Sequence, residues 1–195
     1  MRRLLLPLLL ALPIAAHAQA IAIYGTFSPA HLSNIATGAV YSATGYNEAT
    51  ASYVSYGVGG GITANFIPVG PVRLGIDLRG STKPGTSGAD SAMVGIKLGI
   101  HPPVLRIKPY GEFAVGYLAS RTTNLSTPSG QTTGSIGGIF NNQYGVFEVI
   151  GGVDYPLLGP LDWRIVEIGG GKGLVKFGTN NPTFFTLNTG LVVHF

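Results

Sequence analysis

The chain has 195 residues, a formal net charge of +4, 10% charged side chains, 30 glycines and no cysteine. Charged residues fall far below the ~25% of an ordinary water-soluble domain, while 45% of residues are hydrophobic and the mean hydropathy is positive. The missing cysteines exclude disulfides, thiolate catalysis, cysteine-ligated metals and a lipidated N-terminal cysteine, and so weak a positive charge is no footprint for nucleic acid.

In chain order, Arg2 and Arg3 precede an apolar run over residues 4–16, and Ala16-His17-Ala18 is a small-x-small cleavage site. This predicts a secretory signal peptide over residues 1–18, too short for a spanning helix, exported by the general secretory route. Residues 19–195 then form one domain with 10 basic and 8 acidic side chains. No later window offers the ~18 uninterrupted apolar residues of a transmembrane helix.

Period-two alternation predicts eight strands instead. The first covers residues 21–28, with Ile21, Ile23 and Phe27 on one face and Tyr24 and Thr26 on the other. In the second, residues 53–67, Val54, Tyr56, Val58, Ile62 and Phe66 oppose Gly57, Gly59, Gly61, Thr63 and Asn65. The third, residues 72–80, is the clearest: Val72, Leu74, Ile76 and Leu78 against Arg73, Gly75, Asp77 and Arg79. The fourth, residues 91–100, sets Val94, Ile96, Leu98 and Ile100 against Gly95, Lys97 and Gly99. The fifth, residues 105–121, opposes Phe113, Val115 and Tyr117 to Lys108, Tyr110 and Glu112. The sixth, residues 143–155, opposes Phe147, Val149 and Val153 to Glu148, Gly152 and Asp154. In the seventh, residues 162–171, Arg164 and Glu167 have opposite parity, so both face inward only with a bulge near Ile165 and Val166, the expected arrangement; the alternative puts Glu167 near the lipid boundary. The eighth, residues 184–195, alternates strictly and ends on Phe195.

Connections at 68–71, 101–104 and 156–161 are short; those at 29–52, 81–90, 122–142 and 172–183 are long and polar. Such alternation is the pattern of outer-membrane barrels, with short periplasmic turns and long extracellular loops. A soluble barrel would put the apolar set inside. Lipid outside is favoured by the glycine-rich polar set, its mixed-sign charges at mid-strand, and two aromatic groups. Phe66, Tyr155, Trp163 and Phe195 lie towards the short turns, and Tyr53, Tyr56 and Tyr117 towards the long loops.

With these strands and the terminal Phe195, residues 19–195 resemble the small eight-stranded bacterial outer-membrane β-barrels, the class containing the OmpA transmembrane domain and OmpX. The segments Gly151-Gly-Val-Asp-Tyr155, Trp163-Arg-Ile-Val-Glu167 and Leu187 to Phe195 are similar to the C-terminal hairpins of compact outer-membrane beta-barrel or porin-family proteins. The resemblance implies an all-β, eight-stranded antiparallel up-and-down transmembrane barrel in the bacterial outer membrane. It makes Phe195 the signal read by the barrel-assembly machinery. The chain lacks the periplasmic domain of OmpA, so wall anchoring is not implied.

The lumen is the first candidate site. Arg79, Lys97, Lys108 and Arg164, with Arg73 and Arg106 towards the rim, would face Asp77, Glu112, Glu148, Asp154 and Glu167. Near-balanced charge in a barrel just wide enough for its side chains predicts a closed, ion-paired plug. The Gly169 to Lys172 run lacks the Walker A spacing and its helix; inward glycines instead make room for large lumen side chains. His31-x-Ser33 and Asp90-Ser91 invite comparison with lipid-modifying barrel enzymes, but the spacing differs and no apolar acyl-binding interior is evident. His31, His101 and His194 are too scattered to predict a metal site. The expected protein is non-enzymatic, without catalytic residues, metal or cofactor. Its expected partners are outer-membrane lipids, the assembly machinery and extracellular surfaces met through four loops. A narrow pore for ions or very small solutes is the alternative, and a lipid-modifying barrel enzyme ranks third.

Overall fold

The computed structural model describes residues 21–42, 45–102, 106–123, 139–174 and 181–195; the predicted signal peptide lies outside them. Ten strand segments occur: β1 (Ile21–Phe27), β2 (Ala30–Ser42), β3 (Gly45–Ser55), β4 (Val58–Val69), β5 (Val72–Lys83), β6 (Ala89–Ile100), β7 (Lys108–Thr123), β8 (Ile139–Leu158), β9 (Leu161–Gly173) and β10 (Thr183–His194). Each pairs antiparallel with its neighbours, and β1 pairs with β10, so the sheet closes on itself. Phe27 faces Val58 and Ala30 faces Ser55, which keeps one register across the break at Ser28 and Pro29. β1 with β2, and β3 with β4, are therefore single interrupted staves. The result is a closed eight-stranded antiparallel barrel, whose closure leaves no edge for the barrel wall to pair wrongly.

Alternation carries through to burial. β1 runs exposed, buried, exposed along its length, with Ile21, Ile23 and Phe27 out and Ala22, Tyr24 and Thr26 in. Ile76, Leu78, Val94, Ile96, Leu98, Phe113, Val149, Leu187, Leu191 and Phe195 share the exposed face, while Asp77, Glu112, Asp154 and Arg164 are buried. Polar groups inside and aliphatic groups outside invert the arrangement of a water-soluble barrel.

β9 contains the expected bulge. Val153 faces Val166 but Asp154 faces Arg164, so Ile165 is the extra residue, and the same shift recurs against β10 between Asn188 and Gly190. Arg164 and Glu167 consequently both turn inward.

Two predicted long connections are corrected. The tract 29–52 is mostly strand, because β2 and β3 pair from Ala30 and Ser55 out to Ser42 and Gly45. Its alternation is hidden in sequence by Pro29 and by register shifts between Leu32 and Ile35 and between Ala36 and Gly38, where Asn34 takes a positive φ of 58°. The connection predicted over 81–90 shrinks to five residues, since β5 runs to Lys83 and β6 starts at Ala89. The other two narrow as β7 extends to Thr123, β8 begins at Ile139 and β9 extends to Gly173.

The β2–β3 ribbon rises beyond β5, whose pairing with β4 ends at Val58 and Thr82, and leans across the mouth to the opposite wall. There the Ala36 carbonyl accepts from Asn142 Nδ2 (2.7 Å) and Thr122 Oγ1 (3.4 Å), and the Ala36 amide donates to Tyr144 Oη (3.3 Å). Tyr53, expected in the outer aromatic girdle, is instead partly buried against the interior apolar cluster and donates to the Gly88 carbonyl at 3.5 Å.

Candidate functional site: a lumen in three layers

The central layer is built on Glu167. Its carboxylate accepts from Arg79 Nη2 (2.9 Å), Arg164 Nη1 (3.0 Å), Tyr110 Oη (2.5 Å) and Asn188 Nδ2 (2.7 Å). Arg164, with no exposed surface, bridges from Glu167 to Asp154, whose Oδ1 lies 3.0 Å from its Nε. Its guanidinium sits 4.3 Å from the Tyr24 ring centroid and 5.0 Å from that of Tyr110. Arg79 also reaches Asp77 (3.3 Å) and, more loosely, Glu112 (3.6 Å). Asp77 accepts from Tyr24 Oη at 2.6 Å and from Thr63 Oγ1. Buried charge is tolerated where each ion has a counter-ion and its remaining lone pairs are filled. This layer meets that condition except at Lys97, which has no carboxylate within ion-pair distance among the described residues, and at Glu112, whose two buried oxygens lack hydrogen-bond partners among them. The ammonium of Lys97 lies 3.8 Å from the Tyr110 ring centroid.

Glycines make space for these bulky groups. A Cβ on Gly61 would collide with the Tyr24 phenol, and one on Gly152 with the Tyr110 ring. Large and small residues thus alternate across the lumen, which lets two tyrosines lie flat against the arginines.

Towards the short turns the lumen widens into a vestibule of about 390 Å³, lined by Arg73, His101, Lys108 and His194 among others. Asp162 holds Lys108 (2.6 Å) and His194 (2.8 Å). Burial and the nearby cations Arg73 and Lys108 hold the His101 imidazole down at about 4, so it is neutral at neutral pH.

Towards the long connections the lumen is apolar. Leu32 and Ile35 of the ribbon pack with Ala89, Met93, Ala114, Leu118, Tyr144, Val146, Ile150 and Phe184 in one buried cluster. The interior is therefore partly apolar, but this cluster is filled by its own side chains and is not a cavity for a long acyl chain. The signal was in the sequence: Ala114 and Leu118 share the inward parity of Glu112, and Val146 and Ile150 that of Glu148.

Of the predicted lumen charges, Arg79, Asp77, Glu112, Asp154, Arg164 and Glu167 meet in the central layer. Lys108 pairs with Asp162 in the vestibule, whereas Glu148 has moved into the apolar half, where Thr186 Oγ1 donates to it at 2.6 Å. Arg106 is exposed, outside any strand. Sequence reasoning missed Asp162 and Lys83 as lumen groups, and gave Tyr24, Asn188 and His194 the inward parity without a part in the charge network. His31 meets Ser33 at 3.4 Å, but Asp90 is taken by Arg121 (2.5 Å) and Thr82 (2.7 Å), and Ser91 by Ser81. The hydrolase-like residues are not assembled.

No protein-family model matches the chain, and no curated protein matches it in sequence. Among solved structures it is similar to Neisserial surface protein A, at 16% identity and TM-score 0.45, over 89% of this chain and 99% of that one. The N-terminal β-barrel domain of Pseudomonas aeruginosa OprF is similar at 11% identity and TM-score 0.46, over 89% and 98%. The outer membrane protein AlkL is similar at 14% identity and TM-score 0.44, over 90% and 89%.

Proposed function

We propose that the protein spans the bacterial outer membrane as a barrel with a sealed lumen, and that it acts through its extracellular ends. The inverted surface supports the membrane reading. An outward set so rich in Ile, Leu, Val and Phe would be an aggregation hazard in water and is what hydrocarbon accepts. Trp163, Phe66 and Phe195 are exposed towards the short turns, and Tyr56 and Tyr117 towards the other rim, as interfacial aromatics are. Phe195 stands at the seam, its amide donating to the Ile21 carbonyl at 2.9 Å.

The single observation behind the seal is the stack of Tyr24, Arg164 and Tyr110 locked between Asp154 and Glu167, with Arg164 fully buried. No catalytic role is assigned. Planar-bilayer conductance tests the reading. The wild type should be silent, and Glu112→Ala, which removes the least anchored carboxylate of the seal, should leak. Steady wild-type conductance, with a selectivity that Glu112→Ala changes, would make the lumen a pore and overturn the proposal.

A further inference from the structure

We propose that the apolar half of the lumen is a binding site for a short-chain monocarboxylate of two to four carbons. Its carboxylate would sit on Lys83 and Ser91, and its tail against Leu32, Met93 and Leu118.

Lys83 ends β5 with its side chain inside the chamber, 3% exposed. Its ammonium donates to Ser81 Oγ at 2.7 Å, and no carboxylate of the described residues lies within ion-pair distance of it. The acids nearby do not reach it: Asp90 is held by Arg121 and Thr82, Glu167 by both arginines of the seal, and Glu148, which lines the same chamber, accepts from Thr186 and lies beyond ion-pair distance of Lys83. A buried cation without a counter-ion costs several kcal/mol, and a bound anion removes that cost.

The hydroxyls beside Lys83 prepare the same chemistry. Ser81 Oγ accepts from Lys83 and lies 2.8 Å from Ser91 Oγ. With Lys83 on a Ser81 lone pair, the Ser81 proton is free to point at Ser91. The Ser91 proton then has no described acceptor and can be offered to the chamber. An ammonium and a hydroxyl side by side make a two-point donor for one carboxylate.

The walls select the rest of the molecule. Leu32, Met93, Leu118 and Phe184 line the chamber and take an apolar tail, while Glu148 and Glu167 on the same lining disfavour a second carboxylate. Its volume of about 40 Å³ seats about three water-sized centres at ~10–15 Å³ each, which excludes sugars and long acyl chains. The central layer closes the floor, so the site retains a ligand rather than passing it on. Retention rests on the sealed lumen proposed above, whereas binding at Lys83 and Ser91 is read separately from conductance.

Met93 is a reporter inside the chamber, and Met1 is the only other methionine. The purified chain, labelled with methyl-13C methionine in detergent micelles, would be titrated with sodium butyrate, with 1-butanol, and with sodium chloride at matched ionic strength. Met93→Leu assigns the signal. Butyrate alone should shift the Met93 methyl saturably. The midpoint should weaken at least tenfold in Lys83→Met and several-fold in Ser91→Ala, each checked for a native Trp163 emission. A linear shift, an equal response to butanol, or an unchanged midpoint in Ser91→Ala would each overturn the site, even if Lys83→Met fails to fold.

Discussion

The two halves of the lumen are lined by the same strands in the same alternation, yet one is filled by ions and the other mostly by hydrocarbon, with Lys83 and Glu148 set among it. On β7 the inward positions pass from Tyr110 and Glu112 to Ala114 and Leu118; on β8 they pass from Asp154 to Ile150 and Val146. The β2–β3 ribbon accounts for the difference. It lays Leu32 and Ile35 across the outer mouth, so the inward side chains beneath it gain apolar partners rather than water. The central layer has no such cover and depends on salt bridges, whose geometry must be satisfied atom by atom. A polar-in rule for barrels therefore describes what a lumen contacts, not which way its residues point.

If that contrast is right, the two halves should fail differently. The largest effect is expected for Arg164→Ala, which strands Asp154 and Glu167 and should cost about 3–5 kcal/mol. Urea unfolding in micelles, followed by the emission of Trp163, the chain's one tryptophan, reads it directly; the same variant should conduct in bilayers. Leu32→Ala should cost about 2–3 kcal/mol, towards the low end for buried leucine because a chamber already adjoins it, and should leave the barrel electrically silent. Conductance in Leu32→Ala but not in Arg164→Ala would reverse the assignment of the seal.

Tyr24→Phe is subtler. It keeps the ring against Arg164 but removes the hydroxyl that donates to Asp77 and accepts from Arg79 Nε at 3.3 Å. A loss of about 1–2 kcal/mol is expected; a neutral result would show that Thr63 and Arg79 satisfy Asp77 without it. The smallest effect concerns the vestibule. The folded value of His101 is lowered from 6.5 to about 4, so between these pH values the unfolded chain binds a proton that the folded chain does not. Stability should therefore fall as pH drops through that window. The His101 ring-proton shift in NMR should titrate near 4, and titration near 6.5 would place the imidazole in open solvent.

Much of this was legible in the chain because a strand has a period of two. Alternation located Asp77, Arg79 and Glu112 on the inward face, and the parity conflict between Arg164 and Glu167 required the bulge that the structure contains. Tyr24 and Tyr110 had the right parity too, but parity does not say that a ring will lie on a guanidinium. Lys83 was lost because the predicted strand stopped short of it, and Asp162 because it opens its strand, where neighbouring residues give no alternation to read. The ribbon was lost to Pro29 and two register shifts, which destroy the periodic signal while preserving the pairing.

The sequence by itself determined the closed eight-stranded barrel, its apolar exterior and the inward placement of its central charges, since all three follow from local alternation and from the lengths between runs. Only the tertiary structure decided which charges meet, because partners such as Arg79 and Glu167 stand 88 residues apart and are brought together by closure. It also decided that the outer lumen is apolar, because that depends on a hairpin folding across the mouth to meet the opposite wall.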